Sequence, residues 1–393
     1  MLRGLSGTRP LRHHSQGMLL VVITILLAMG GNRPLPHVGR AGEGAAEAAV
    51  SIEMVTDPPR EQTLPDSRPA QLTFKASVDG HPLDSGRLLV DVTAPATAML
   101  LPSLLPAVEG TTLLQLASEL TDGKFAVEYL FPIPGVYSFD FDIAPSPDGT
   151  AIESTQIRHS LHVPADPASV RRAWLFRGAL FALGGIVGAW YVCAAHRQRT
   201  PPSRAVIAPG VIVLGGLVFI TGHYTFADHG PRELVFPKGA QMIQGDDGWA
   251  LEVRPTPEQA VVGELLDMGV TLTHHGQVFA AATEVAIHLY NLKGDQTVLR
   301  TSILVPNGST SQRFQVVEGV PHTCTVTAHP ASRVSEAPAT LTAVVGIDAV
   351  AGPIPFTVRL RVMGLVLGMV GVGVAGGFML ASGVRKLPGR GER

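Results

Sequence analysis

Four stretches of the chain are apolar along nearly their whole length, rather than at alternating or helical spacing, and the second contains one charge, Arg177, near its start. They run over residues 18–29, 174–195, 205–224 and 362–384. Each of the last three holds about 20 residues, the length that a helix needs to cross the ~30 Å hydrocarbon layer of a bilayer. A core helix of a soluble protein would keep a polar face, and these three stretches have none. The pattern therefore predicts three transmembrane helices.

The first stretch is shorter and has the form of a targeting segment. It follows a basic leader, and Ala28 and Gly30 have the small side chains found at cleavage sites. Residues 1–31 are interpreted as a signal peptide or an uncleaved signal anchor. Either form leaves the residues that follow outside the cytoplasm.

Basic residues in the short connecting segments indicate the orientation. The leader, the loop 196–204 and the tail 385–393 each carry several arginines or lysines. Short basic segments tend to stay in the cytoplasm. We therefore expect the two long segments, 45–165 and 226–357, to lie outside it.

Glycines four residues apart predict that the membrane helices pack together, because small side chains let helix backbones approach closely in lipid. The alternative is that glycine is simply common in such helices. The glycines concerned are Gly184, Gly188, Gly364, Gly368, Gly373 and Gly377.

Apolar and polar residues alternate in short runs between the apolar stretches. In 45–165 these runs include Leu72–Val78, Phe125–Phe131 and Tyr137–Ile143, and turn signals such as Asp79-Gly80 separate them. A period of two gives each strand one apolar face, and two sheets bury such faces against each other. Residues 45–165 are predicted to form an immunoglobulin-like β-sandwich.

The segment 226–357 repeats this pattern with its motifs in the same order. Leu251–Glu258 parallels Ile52–Pro59, and Gln312–Pro330 parallels Lys124–Pro145. An apolar stretch precedes and follows each segment. The predicted fold class is mostly β with membrane α-helices: two immunoglobulin-like β-sandwiches in a duplicated helix–sandwich–helix unit.

Composition narrows the function. Of the 393 residues 46% are hydrophobic and only 16% are charged, and a formal net charge of −2 provides no basic face for nucleic acid. Two cysteines exclude a disulfide scaffold. The sequence contains neither a Gly-x-Ser-x-Gly nor a His-Glu-x2-His motif. We therefore expect no catalytic residues.

Two stretches of the first segment resemble the YtkA-like and FixH-like group of small bacterial extracytoplasmic β-sandwich proteins. They are VDGHPLDSGRLLVDVTAP at Val78–Pro95 and DGKFAVEYLFPIPGVYSFDFDI at Asp122–Ile143. The resemblance implies an extracytoplasmic sandwich, and some members neighbour metal or respiratory systems. Two sandwiches separated by two membrane helices are also similar in layout to the B subunit of particulate methane monooxygenase, without the His-rich mature N-terminus of that protein.

One motif is a candidate metal site. Cys324 and His329 lie in TCTVTAHP, and an earlier predicted strand carries His288, with His275 as another option. A type 1 copper site combines a Cys thiolate with two imidazoles. The loop holds no methionine for the axial position. The alternative is that Cys324 is a small buried core residue.

Three further features have a structural as well as a functional interpretation. Two histidines and an aspartate in 223–229 could hold a divalent ion or face a wet membrane interface. His274 and His275 are adjacent in a predicted strand, so their side chains are expected on opposite faces. The apolar, proline-broken stretch Thr97–Val108 needs cover from its own sandwich, from lipid or from a partner.

The sequence thus predicts a membrane-anchored, non-catalytic binding or assembly subunit of a bacterial envelope complex. Its expected partners are the membrane and other envelope proteins, without nucleic acid, and its expected location is the bacterial inner membrane. No cofactor is expected. The alternatives are a copper-handling or electron-transfer protein that uses the second sandwich, and an accessory subunit of a membrane oxidase.

Overall fold

The computed structural model describes residues 50–59, 62–65, 68–83, 85–96, 105, 107–120, 122–144, 155–197, 239–330, 340–350 and 356–383. The predicted targeting segment 1–31, the apolar stretch 205–224, residues 223–229 and the tail 385–393 lie outside these ranges. So does most of the loop 196–204. Within them, the chain is mostly β with two long helices.

The first β unit extends from Val50 to Val163. Its strands form where the alternation predicts them, because one face of each strand is sealed in a core: β2 and β7 bury every second side chain along most of their length. The strands are β1 (Val50–Asp57), β2 (Ala70–Val78), β3 (His81–Pro82), β4 (Arg87–Thr93), β5 (Thr112–Glu119), β6 (Lys124–Tyr129), β7 (Gly135–Ala144) and β8 (Thr155–Val163).

The second β unit extends from Gln241 to Val350. Its strands β12, β14 and β17 show the same alternation of buried and half-buried side chains. The strands are β9 (Gln241–Gln244), β10 (Trp249–Thr256), β11 (Gln259–Val261), β12 (Leu265–His274), β13 (Gln277–Val278), β14 (Thr283–Asn291), β15 (Gln296–Val305), β16 (Ser309–Gln315), β17 (His322–Pro330) and β18 (Leu341–Val350).

The strands of each unit pair into two layers. In the first unit, β1, β2 and β6 pair in that order, and β5, β4, β7 and β8 pair in that order. In the second unit, β9, β10, β12 and β16 form one layer, and β15, β14, β17 and β18 form the other. The short β11 runs parallel to β18, and the short β3 and β13 fold back on β2 and β12.

Both layers continue from one unit into the other. β6 pairs with β15, and β5 pairs with β16, all antiparallel. The buried apolar side chains of the two units accordingly form one continuous cluster. The core therefore crosses the boundary between the units instead of stopping at a linker.

Each unit is followed by a long apolar helix. These are α1 (Pro167–Arg197) and α2 (Phe356–Gly383), and both start before the predicted stretches 174–195 and 362–384. Val170–Cys193 and Val362–Ala381 are long and apolar enough to cross a membrane. Large apolar side chains such as Leu175 (67% exposed) and Leu380 (72% exposed) are not covered by protein in the described chain. Two helices of the described chain therefore fit a membrane span by length and composition.

The two helices pack in parallel through glycines. A Cβ atom at Gly184 would lie 2.3 Å from the Val370 carbonyl oxygen, and one at Gly188 would lie 2.1 Å from that of Val374. Residue numbers rise together along both helices, so both run away from the β units in the same direction. The two helix backbones can come this close only because these positions have no Cβ atom.

The predicted glycine pairs of α2 divide between two faces of the helix. Gly373 and Gly377 lie on the contact with α1, where Cβ atoms would meet carbonyl oxygens of α1 at 2.2 and 2.0 Å. A Cβ at Gly364 or Gly368 would meet no described atom within 4 Å. In the described chain, those two glycines therefore take no part in the contact between the helices.

Candidate binding cleft between the two β units

Buried side-chain hydrogen bonds reinforce the strand pairing between the units. Gln312 on β16 has no exposed surface. Its Oε1 accepts from the Ala117 backbone N–H at 2.8 Å, and its Nε2 donates to the Ala117 carbonyl at 3.1 Å. The side-chain amide thus satisfies both backbone groups of a residue in the other unit.

Two further pairs of buried polar groups cross the same boundary. The Thr301 hydroxyl donates to the Ala126 carbonyl at 3.1 Å, and the Leu304 N–H donates to the Ser118 hydroxyl at 3.1 Å. Thr301 and Ser118 are both buried. Moving one unit against the other would leave these groups unpaired at about 1–3 kcal/mol each. The junction is therefore fixed in one arrangement.

The end of the apolar stretch Thr97–Val108 also contributes to this junction. Val108 is fully buried, and Leu105 and Ala107 pack against the shared core. At Gly263 of the second unit φ is +97°, and a Cβ atom would lie 2.8 Å from the Ala107 carbonyl oxygen. The described residues of the stretch are thus covered by the protein itself.

A cleft of about 980 Å³ opens where the units meet. Its lining comes from β1, β2, β5 and β6 of the first unit and from β14 and β15 of the second. We call it the interunit cleft. The charged residues in its lining are Asp57, Arg68, Glu119, Lys124, Glu128, Glu284 and Arg300.

The strand register places short side chains along the middle of the interunit cleft. Glu128 of β6 pairs with Arg300 of β15. Ala126 and Ser302 lie two residues farther along these strands, on the same face, because side chains alternate with period two. Ala286 of β14 pairs with Ser302 and extends this floor. The floor of the cleft is therefore made of short side chains, is partly polar, and includes residues of both units.

Charged side chains form one wall of the cleft across the boundary. Arg300 Nη1 lies 3.5 Å from Glu128 Oε2, and its Nη2 lies 3.5 Å from His288 Nε2. Burial, together with the Arg300 charge, lowers the pKa of His288 and thereby favours its neutral ring. The Arg300–Glu128 pair is largely exposed and contributes about 0–1 kcal/mol. It shapes the cleft more than it holds the units together.

The opposite wall combines the carboxylate of Glu284 with the ammonium group of Lys124. Glu284 accepts from the Ser302 hydroxyl, and its Oε2 lies 3.0 Å from His329 Nε2. Lys124 contributes an exposed ammonium group from the first unit. Charges of both signs therefore face the cleft.

The structure does not bring the predicted copper ligands together. Cys324 is fully buried beside Leu289, and burial raises the pKa of its thiol to about 12. His288 pairs with Thr325, one residue farther along β17, so it lies on the opposite face of the sheet. His329 is an odd number of residues from Cys324 and shares that outer face. In the described part of the chain, no group of three His, Cys, Asp or Glu side chains could hold a metal ion.

The expectation that His274 and His275 point to opposite faces is wrong. β12 ends at His274, and His275 takes a φ of +51° in the following turn. Strand alternation therefore no longer applies, and the two rings lie 4.2 Å apart, centroid to centroid. His274 also stacks on Trp249. Both rings thus belong to an aromatic cluster at one end of the second unit.

The residues that build the junction are not evident from the sequence. Gln312 and Phe314 share one face of β16, and both are fully buried. The one sequence signal for the junction is Gln312 itself, a polar residue at a position where the alternation calls for an apolar one. Its partner, Ala117, lies 195 residues away along the chain.

No protein-family model and no curated protein sequence matches this chain. Partial likenesses exist among solved structures. A conjugative transposon lipoprotein from Bacteroides eggerthii is 15% identical over 25% of this chain and 96% of its own, with a TM-score of 0.18. Trypsin-activated α2-macroglobulin from Escherichia coli is 10% identical over 77% of this chain and 16% of its own, with a TM-score of 0.21.

A DUF4785-family protein from Legionella pneumophila is 9% identical over 76% of this chain and 56% of its own, with a TM-score of 0.21. This chain thus spans less than two thirds of the length of the α2-macroglobulin and of the DUF4785-family protein. Likenesses at this level identify neither a family nor a function.

Proposed function

We propose that this chain is a membrane-anchored, non-catalytic binding or assembly subunit of a bacterial envelope complex. One observation carries the proposal: the two β units are fused along both layers, and each is followed directly by one of two parallel, apolar helices. Such an arrangement presents one fixed surface at a defined height above a membrane. Binding and assembly use such a surface, and catalysis would need reactive groups in addition.

Each β unit is, in this proposal, an immunoglobulin-like sandwich, and the two are copies of one ancestral unit. The pairing orders support this. In the order of pairing, β1, β2 and β6 correspond to β10, β12 and β16, and β5, β4, β7 and β8 correspond to β15, β14, β17 and β18. Immunoglobulin-type sandwiches divide their strands between two sheets in this way.

A local feature at the start of β7 and β17 agrees with the proposed duplication. The Tyr137 hydroxyl donates to the Ile133 carbonyl, the side-chain-to-backbone bond of a tyrosine corner. His322 lies near the start of β17, and its Nδ1 is 2.7 Å from the Val320 carbonyl oxygen. Both bonds join a buried ring to the chain that leads into the equivalent strand.

Both units lie on the same side of the membrane in this proposal, outside the cytoplasm of a bacterial cell. The parallel packing of α1 and α2 supports a common side, since each unit precedes the N-terminal end of its helix. The basic segments 196–204 and 385–393 support the cytoplasm as the opposite side. The proposed kinship with YtkA-like and FixH-like proteins agrees with an extracytoplasmic location.

The interunit cleft is the proposed contact for another envelope protein. Photo-crosslinking tests this contact: a photoreactive amino acid at Ala286, in the cleft, should give a defined adduct with one protein in native membranes. The matched control is the same amino acid at Thr342, which is exposed on the same sheet but outside the cleft. An adduct that Ser302→Arg abolishes supports the proposal. Equal adducts from both positions would contradict it.

Copper binding stays the alternative prediction, tested on the full chain with Cu(II). As a packing residue, Cys324 gives no intense thiolate-to-copper absorption band, and Cys324→Ala costs about 1 kcal/mol because it leaves a small cavity. Such a band, lost in both Cys324→Ala and His329→Ala, would replace the binding-subunit proposal with a copper protein.

A further inference from the structure

Arginines concentrate at the ends of both helices that adjoin the β units. Arg171 and Arg172 lie in the second turn of α1 and are exposed, and Arg177 lies farther along. Arg359 and Arg361 lie in the first two turns of α2. These arginines are on the outer side in the proposed orientation, where basic residues are disfavoured by the positive-inside bias. Their presence there calls for a physical reason.

The helix contact places the two groups of arginines at the same depth. Gly184 lies beside Val370, and Gly373 lies beside Phe181. A residue of α1 is therefore level with a residue 186 to 192 positions later in α2. Arg171 and Arg172 are accordingly level with positions 357 to 364, the turns that contain Arg359 and Arg361.

Neither helix carries a carboxylate of its own. Residues 167–197 and 356–383 contain neither Asp nor Glu. Asp166 comes just before α1, and its Oδ1 accepts from the Ala168 N–H at 3.1 Å. Trp174 is 64% exposed beside these arginines, and Arg177 Cζ lies 5.0 Å from the centroid of its ring. An exposed tryptophan among arginines is typical of the headgroup level of a membrane.

We infer that an arginine collar, formed by Arg171, Arg172 and Arg177 together with the turns of α2 that carry Arg359 and Arg361, binds the anionic phosphodiester headgroups of phospholipids in the outer leaflet. The guanidinium groups match phosphate oxygens in charge and in hydrogen-bond geometry. The inference rests on the proposed membrane insertion of α1 and α2. It adds a preference for anionic over zwitterionic lipid, which insertion alone does not require.

Quenching of Trp174 fluorescence by brominated lipid tests the inference. The full chain carries Trp190→Phe, and the remaining Trp249 is buried in the second β unit, where it adds a background that lipid does not quench. The protein is placed in nanodiscs of equal phosphatidylglycerol and phosphatidylcholine, with bromine on the acyl chains of one lipid only. We expect stronger quenching when the brominated lipid is phosphatidylglycerol. The preference should fall about fivefold for each arginine removed, hence about 25-fold in Arg171→Gln/Arg172→Gln.

The matched control is Arg87→Gln/Arg254→Gln, which removes two exposed arginines from the β units and should keep the preference. Circular dichroism checks that both variants fold. Excess inorganic phosphate should leave the preference unchanged, and a loss would assign the site to free phosphate instead. Equal quenching by both lipids would overturn the lipid site alone. Absence of quenching by either lipid would overturn membrane insertion as well.

Discussion

At the residue scale, the fold strongly alters the titration of one buried histidine, His322. It is fully buried on the core face of β17, two residues before Cys324. Its Nδ1 lies 2.7 Å from the Val320 carbonyl oxygen, and its Nε2 has no hydrogen-bond partner among the described residues. Burial lowers the pKa of the ring to about 4. The folded protein therefore keeps His322 neutral.

This burial predicts a loss of stability in acid. The unfolded chain, with a His pKa near its ordinary value of about 6.5, binds the proton more tightly than the folded chain. The contribution of His322 to the free energy of unfolding is therefore constant above about pH 6.5 and falls as the pH approaches 4. We expect a loss of about 2 kcal/mol by pH 5 and about 3 kcal/mol in total. Urea unfolding of the detergent-solubilised chain at pH 8 and pH 5 measures it.

Carboxylates also titrate in this range, so the prediction concerns a difference between variants. His322→Phe should be less sensitive to acid than the natural chain by that amount, because it has no proton to gain. His329→Phe is the matched control, since the His329 side chain is 42% exposed beside Glu284, and it should retain most of the acid sensitivity. An unchanged pH dependence in His322→Phe would refute this account of the residue.

At the element scale, the contact between α1 and α2 depends on the absence of side chains. A Cβ atom at Gly377 would lie 2.0 Å from the Gly185 carbonyl oxygen. Gly377→Val should therefore separate the helices, since neither backbone can give way by that much. Leu180 and Val370 pack in one cluster at this contact. A cysteine pair at these two positions, in a Cys193→Ala background, reports the contact through disulfide formation on mild oxidation.

We expect the cysteine pair to crosslink when the glycines are intact. In Gly377→Val, most of the crosslinking yield should be lost. Gly368→Val is the matched control, because a Cβ there meets no described atom within 4 Å. Its crosslinking yield should equal that of the natural sequence. Equal yields in all three chains would show that the glycine contact does not hold the helices together.

The junction between β5 and β16 gives a second prediction at this scale. Gln312→Leu leaves the N–H and carbonyl of Ala117 buried without partners, at about 1–3 kcal/mol for each group. We expect the free energy of unfolding to fall by about 2–4 kcal/mol. Gln259→Leu, at an exposed position of β11, should change it by less than about 0.5 kcal/mol. Chemical denaturation of both variants at pH 8 compares them, and equal stability would remove Gln312 from the junction.

The strands were predictable from the sequence, and the junction was not. The alternation of apolar and polar residues located β2, β7, β14 and β17. Each of these strands has one face in a core, so every second residue is apolar. The pairing of β6 with β15 depends on which strand edges meet after folding. Glu128 and Arg300 carry the charges of ordinary surface residues, and nothing local marks them as neighbours. The glycine spacing predicted that α1 and α2 pack together, but it did not indicate which glycines would lie at the contact.

The copper prediction also depended on structure that the local sequence does not show, namely where a strand ends. The spacing of Cys324 and His329 resembles a ligand loop when it is counted along the chain. The strand β17 continues to Pro330, so Cys324 and His329 both lie within it. Because they are an odd number of residues apart, their side chains lie on opposite faces of the sheet. A strand that ended sooner would have freed His329 to turn back. Sequence spacing alone does not reveal where a strand stops.

At the scale of the whole molecule, the two β units share one core, and the two helices that follow them pack against each other. Both layers and the core cross the boundary between the units, and the helices that follow the units pack side by side. A rotation of one unit against the other would have to break the Gln312 and Thr301 bonds. We therefore expect the units to move together, with the interunit cleft keeping its shape above the membrane.

The central claim is that both β units stand on the outer side of one membrane. Labelling of single cysteines with a membrane-impermeant maleimide in spheroplasts tests it most directly. Ser85→Cys reports the first unit and Asn307→Cys the second, both at exposed positions, in a Cys193→Ala background where Cys324 is buried. Arg390→Cys reports the basic tail. The account predicts that Ser85→Cys and Asn307→Cys react in intact spheroplasts and that Arg390→Cys reacts only after lysis. Reaction of one unit in intact spheroplasts and of the other only after lysis would contradict it.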